Sequence, residues 1–540
     1  MTLKLNSKIF AVWLVVAGAL MVGFWGCTSR GLKLHQSDEK LAPIDSVMSL
    51  ADRSQSAIIT VDTTQTFAIK IIEKESHRAN LPRQDAEQVS VPDQRESVND
   101  KNYQSTEKLE MAKADAEVSP ETREYNAEVP LAWFNLQLKL VQETPGFSPP
   151  VAARAFGYAG VTLYEAAVPG MPTHQSLAGQ LNGLTELPRS SSSQDYHWPT
   201  VANSALATIT RLLFANASEA NKAAIEALEL RFYHQFKSTL AAEVFHRSAS
   251  HGRVIAQAIY TWSLSDGGHG GHSRNFSAGY KLPAGLGFWV PTPSKFQRPL
   301  QPHWGNNRPF FLRSGSECQP EAHPPFSERT GTKFYEEMME VYNTVNNLTA
   351  EQRAIAEFWA DNPMQTATPA GHWIAILNQI IAQKQLNLEV AAEAYAKVGI
   401  VVADAFISCW YTKYEYNLVR PITCIRKIID ANWKPPVSTP PFPEYTSGHS
   451  VQSGAAAQVL TDMFGEVAFT DHTHDSRNLL PRSFSSFFAA ADEAAISRLY
   501  GGIHFRSAIE LGLEQGRCVG RKVSALKFKK DDPAESATRR

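Results

Sequence analysis

The sequence predicts an all-α fold built from helical bundles, and three observations carry the prediction. Apolar residues recur at spacings of three and four through most of the chain after residue 125. No alternating pattern runs long enough to build a sheet, and 540 residues with 43% hydrophobic content are ample for a large helical core.

At the N-terminus, Lys4 and Lys8 precede an apolar run from Ile9 to Trp25, followed by Gly26-Cys27. This order reads as the n-region, h-region and processing site of a signal peptide, so residues 1–27 are expected to direct export to the cell envelope or periplasm. The apolar run is marginal for a membrane span. Small Gly26 before Cys27 and polar Thr28-Ser29 after it favour a lipoprotein signal, with Cys27 as the lipidated first residue. Residues 28–125 are rich in Ser, Gln, Glu, Lys, Asp and Thr and are expected to be a disordered tether.

From residue 126 to residue 528 a catalytic domain is expected. Leu131, Phe134, Leu138 and Val141 lie on one helical face, and Ala152–Ala167 continues after the break at Gly146–Pro150. Further helices are expected over Val201–Phe214, Ser218–Phe236 and Ala241–Leu264, with Ser218 as an N-cap. Between Asp266 and Pro325, Gly, Pro, His and aromatic residues exclude long helices and suggest a cover over the core. Helical spacing returns at Ser327–Asn346, Thr349–Trp359, Gly371–Gln383, Glu389–Tyr414, Ser447–Phe464, Ser483–Tyr500 and Phe505–Leu526. Residues 529–540 read as a frayed polar tail.

The net charge of −2 creates no global field for nucleic acid or an anionic membrane surface, so membrane contact is expected only through the N-terminal anchor. Cys318, Cys409, Cys424 and Cys518 remain after Cys27, and spacing alone does not pair them. No CxxC or Cys/His cluster suggests structural zinc.

Chemistry concentrates in three segments. Lys413 is followed after six residues by Arg420-Pro421, a spacing that would put two cations near one helical face, with Pro421 at a boundary. Thr446-Ser447-Gly448-His449 opens a helix, whose free N–H groups favour an anion. Gly448 permits close approach, Ser447 offers a hydroxyl, and His449 suits proton transfer. Ser497-Arg498 is followed after five residues by His504, adding a forked donor and a nitrogen able to ligate a metal centre or attack phosphorus.

Together these segments resemble the vanadium-dependent haloperoxidase and type 2 phosphatidic acid phosphatase superfamily, with its signature K-x6-R-P, P-S-G-H and S-R-x5-H. The likeness implies the helical-bundle fold of that superfamily. It also implies vanadate held by Lys413, Arg420, Arg498, Ser447 and the Gly448 N–H, with His504 as the metal ligand and His449 as general acid-base. Hydrogen peroxide and halide would then give hypohalous acid, which would reach an organic acceptor. Thr446 stands where the family usually has Pro, so altered loop stiffness is expected. Ala508 stands where the family commonly has an Asp four residues after the last His, so a partner orienting His504 is missing or comes from elsewhere.

Pro149–Arg154, Phe288–Thr292, Trp304-Gly305 and Phe358–Asp361 look like segments of bacterial haloperoxidase-type proteins. Trp410 and Phe442 resemble the aromatic pair lining the halide side of such sites, and Asp361 resembles the carboxylate that pairs with a site arginine. Two alternatives remain at this level. One is a phosphatase that holds a phosphate ester in the same cage and forms a phosphohistidine at His504; the other is a non-catalytic envelope lipoprotein with a degenerate site.

Overall fold

The structure, a computed structural model, describes residues 119–531. The Cys27 signal, most of the tether and the end of the tail lie outside the described residues. All described residues fall in one unit, Lys108–Arg540, of the two into which the chain divides.

Five helices form the first half: α1 (Glu128–Glu143), α2 (Pro149–Ala167), α3 (Trp198–Leu213), α4 (Glu219–Lys237) and α5 (Ala242–Ser263). The second half contains α6 (Lys333–Asn346), α7 (Ala350–Phe358), α8 (Thr368–Gln383), α9 (Leu388–Tyr416), α10 (Pro421–Ile428), α11 (Gly448–Phe464), α12 (Phe487–Tyr500) and α13 (Arg506–Ser524). A two-stranded antiparallel hairpin, β1 (Phe469–Asp471) with β2 (Arg482–Phe484), lies between α11 and α12.

Helix α9 is the axis of the domain. It is apolar on nearly every face and buried along most of its 29 residues, as a helix surrounded by others must be. Helix α2 lies against it at backbone distance, since a Cβ on Gly160 would come within 2.3 Å of the Tyr395 carbonyl. Helices α11 and α13 meet in the same way at Gly516, which faces the Val451 carbonyl. The second pairing brings the segment around Ser447 beside the segment around His504.

The long irregular stretch after α5 covers α9, as its composition suggests, with short 3-10 turns at Gly271–Ser273 and Trp304–Asn306. Asp404 of α9 accepts the N–H groups of Phe310, Phe311 and Leu312 at 2.6, 2.9 and 3.0 Å. A disulfide between Cys318 and Cys518 ties this cover to α13, while Cys409 and Cys424 are buried thiols.

Several boundaries differ from expectation. The folded body includes residues 119–125, assigned to the tether by composition: Thr122 is buried, and its hydroxyl donates to the Ala167 carbonyl. Lys530, assigned to the tail, donates its N–H to Thr173. Helix α6 begins only at Lys333, and α12 only at Phe487, because Arg482–Phe484 pairs with β1 and Ser486 caps the helix. Lys413 and Arg420 do not share a helix. Asn417 adopts φ 49° and ends α9, and Arg420 is the N-cap of α10, with Pro421 in its first turn.

Candidate active site

Ser447 caps α11, its side chain accepting the Ser450 N–H at 3.3 Å, and its own N–H donates to the Ala508 carbonyl at 2.9 Å. The N–H groups of Gly448 and His449 lie in the first turn, where a helix supplies no acceptor of its own. Around the position a Cβ would take on Gly448, the nearest atoms are ring carbons of Trp410 and Phe406 at 3.8 and 3.9 Å. This leaves a concave cradle at a positive helix end.

Three buried cations surround it. Arg420 donates through Nε to the Phe442 carbonyl at 2.9 Å and through Nη1 to the Ile503 carbonyl at 2.8 Å, while Nη2 has no protein partner. Arg498 donates to the Trp359 carbonyl, and its Nε is likewise unpartnered. Burial lowers both guanidinium pKa values to about 10. Among the described residues neither arginine forms an ion pair. Glu444 and Asp361 act on them from beyond ion-pair distance, and buried cations with N–H groups left over favour an added anion.

Lys413 is placed differently from the arginines. Its ammonium donates to the carbonyls of Pro443, Glu444 and Thr446, which uses all three protons, and burial pushes its pKa down to about 7. It therefore braces the loop leading into the cradle and adds charge from behind. Thr446 is tied on its other side to α13, donating its hydroxyl to Gln515 at 2.6 Å. Thr446, standing where the resemblance leads one to expect Pro, is thus held by a hydrogen bond in place of a ring.

The two histidines face the cradle from different sides. His504 lies with Nδ1 2.8 Å from Glu444 Oε1 and Nε2 3.2 Å from Arg420 Nη1. His449 lies with Nε2 3.4 Å from Arg498 Nη1 and 3.7 Å from Asp361 Oδ2. Burial, with Arg498 nearby, lowers the His449 pKa to about 4. Burial also lowers His504 well below its ordinary value, reinforced by Arg420 and Lys413.

A cavity of about 460 Å³ opens over these groups. Gly448, His449, Arg498 and His504 line it, whereas Lys413, Arg420 and Ser447 do not. Trp410 and Phe442 also line it, their ring centroids 4.9 Å apart. The Phe442 ring lies 5.0 Å from both Lys413 Nζ and Arg420 Cζ, so it contacts the cations as well as the open space.

Asp361 departs from expectation. Rather than forming an arginine pair, it gathers imidazoles: His372 Nδ1 at 3.0 Å, His474 Nε2 at 3.3 Å and His449 at 3.7 Å. His372 also places Nε2 2.7 Å from Asp471, which accepts the N–H and hydroxyl of Thr473. Burial opposes charge on His372, but Asp361 and Asp471 outweigh it and raise its pKa to about 10. His372 is thus an imidazolium between two carboxylates.

Sequence reasoning missed Glu444, His372, Asp471 and His474. Glu444 lies three positions before Ser447, and an acid so close to the motif was the available signal. No spacing linked the other three to the site.

These groups fit an oxyanion: Gly448, Arg498 and His504 line one space, and Arg420 adds buried positive charge beside His504. A family profile described as the VCPO second helical-bundle domain matches residues 393–530. A bacterial vanadium-dependent iodoperoxidase of known structure is 37% identical, with a TM-score of 0.69 over 76% of this chain and 98% of that one. A holo-type bacterial vanadium-dependent chloroperoxidase shares the fold at 17% identity, with a TM-score of 0.56 over 71% of this chain and 92% of that one. Vanadium chloroperoxidase of Curvularia inaequalis is 23% identical over 494 residues, covering 72% of this chain and 80% of that protein.

Proposed function

Because the chain belongs to the vanadium-dependent haloperoxidases, we propose that it binds vanadate at this cradle and oxidises iodide with hydrogen peroxide. Halide, peroxide and one proton give hypohalous acid and water, and the acid then passes to an organic acceptor. The single observation that carries this reading is the pair of buried arginines with unpartnered N–H groups, Arg420 beside His504 and Arg498 beside His449. The choice of iodide is supported by the relative with 37% identity, an iodoperoxidase.

When bound, vanadate supplies a Lewis-acidic centre that activates peroxide without changing oxidation state. The protein's residues supply the rest. His504 Nε2 offers the lone pair for ligation, and Arg420, Arg498 and the Gly448 N–H bind the negative oxygens. Lys413 adds positive potential through the loop it braces. His449, between Asp361 and Arg498, takes a proton from incoming peroxide and returns one to the leaving oxygen. Trp410 and Phe442 keep water from the side where halide approaches.

The test is to purify the chain from residue 28 onward, load it with orthovanadate, and assay iodide and bromide oxidation beside phosphate-ester hydrolysis. Iodide oxidation that depends on vanadate is expected. Efficient ester hydrolysis by the vanadate-free protein, with neither halide oxidised after loading, would replace this reading with the phosphatase.

We further propose export with lipid attachment at Cys27. The Cys318–Cys518 disulfide supports an oxidising compartment. Replacing Cys27 with Ser is expected to release the protein from the membrane fraction or block its processing, and a correctly cleaved variant that stays attached rules the lipid out.

A further inference from the structure

We propose that Glu444 is the positioning residue that fixes His504 for ligation, taking over from the loop side the task that position 508 has given up. The proposal rests on the reading of His504 as the vanadium ligand, and it begins from the protons on its ring. Glu444 Oε1 accepts the Phe505 N–H at 2.8 Å, so that oxygen is an acceptor. The Nδ1 atom is also 2.8 Å from Oε1, a distance that suits donation from Nδ1 to that oxygen. Nε2 faces Arg420 Nη1 at 3.2 Å, and a guanidinium has only donors. Nε2 must therefore be bare, with its lone pair beside the cradle. The Arg420 contact assigns the Nδ1–H tautomer, and the Glu444 contact fits it.

Glu444 does more than orient the ring. Its carbonyl accepts from Lys413 Nζ, and its N–H donates to Leu418 at 3.0 Å. One buried residue thus joins the end of α9, the loop before α11 and the turn between α12 and α13. On α13, Ala508 is wholly buried, and its carbonyl accepts the Ser447 N–H at 2.9 Å. Position 508 carries no acid in this chain, and Glu444 is the carboxylate on the His504 ring.

The test uses the full chain, with vanadate affinity from equilibrium dialysis and the His504 tautomer from nitrogen-15 spectra of the vanadate-free protein. Wild type is expected to show the Nδ1–H form. Glu444→Ala should weaken vanadate binding about 10- to 100-fold, the usual consequence of losing a group that holds a metal ligand, and should mix the two tautomers. Glu444→Gln keeps an acceptor oxygen and should stay within a few-fold of wild type. Adding Ala508→Asp to Glu444→Ala should recover most of the loss. If Glu444 served only as a counter-charge, Glu444→Gln would fall as far as Glu444→Ala, and that result overturns the proposal. So does an Nε2–H tautomer in wild type, an observation that needs neither a folded variant nor bound vanadate.

Discussion

His504 sits 2.8 Å from one carboxylate and 3.2 Å from one guanidinium, whereas His449 stands 3.7 Å and 3.4 Å from groups of the same two kinds. The side chain of His504 is 3% exposed and that of His449 16%. These differences suit the two jobs proposed for the rings. A ligand must present one lone pair in one direction, which short contacts on both ring nitrogens enforce. A proton carrier must change charge and partners, and looser contacts allow that. The carboxylate behind each ring matches its job: Glu444 serves a single ring, while Asp361 is shared among three imidazoles.

The largest test of this contrast removes each ring. His504→Ala is expected to abolish both vanadate retention and turnover. His449→Ala should retain vanadate to within about tenfold while peroxide-dependent turnover falls about 10²- to 10⁴-fold, the range typical of a general acid-base. Equal loss of vanadium from the two variants, measured by dialysis, would erase the distinction.

Behind Asp361, a stability measurement sharpens the comparison. His372→Gln leaves two buried carboxylates without the cation between them and should cost about 3–5 kcal/mol of unfolding free energy. The His372 pKa is raised on folding from 6.5 to about 10. Its contribution is therefore complete below pH 6.5 and disappears as pH rises through about 10. Denaturant titrations from pH 6 to pH 10 should show the gap between wild type and variant closing upward, and a gap independent of pH would mean that His372 is neutral.

The smallest expected effect lies at the cavity wall. Phe442→His should alter the halide-dependent rate by about 1–3 kcal/mol, the size of one pocket contact, with a smaller change in vanadate affinity. If iodide and bromide rates fall in equal proportion to vanadate occupancy, Phe442 acts only through the cations it touches.

Much of this was legible in the sequence because it is local. Thr349 and Gln352 form the capping box that starts α7, Ser218 caps α4, and apolar spacing marks α9. The cradle was legible for the same reason, since Ser447, Gly448 and His449 are consecutive. Arg420 was misplaced because a seven-residue spacing suggests one helical face unless Asn417 is recognised as a left-handed stop. His372 and Asp471 lie 99 positions apart, and only the placement of the β1–β2 hairpin against α8 brings them together. The Glu444–His504 pair spans 60 positions and was invisible for that reason, although each residue lies within or beside a recognised segment.

The Cys318–Cys518 bond joins residues 200 positions apart, and the interval between them contains Asp361, Trp410, Lys413, Arg420, the cradle, Arg498 and His504. All the chemistry of the molecule therefore sits on one covalent hoop. Closing a loop of that length removes conformational freedom from the unfolded chain worth about 5 kcal/mol in the chain-entropy account. A protein working where its own product attacks exposed side chains meets repeated local damage. A backbone cut inside the hoop would leave both pieces covalently joined through Cys318 and Cys518.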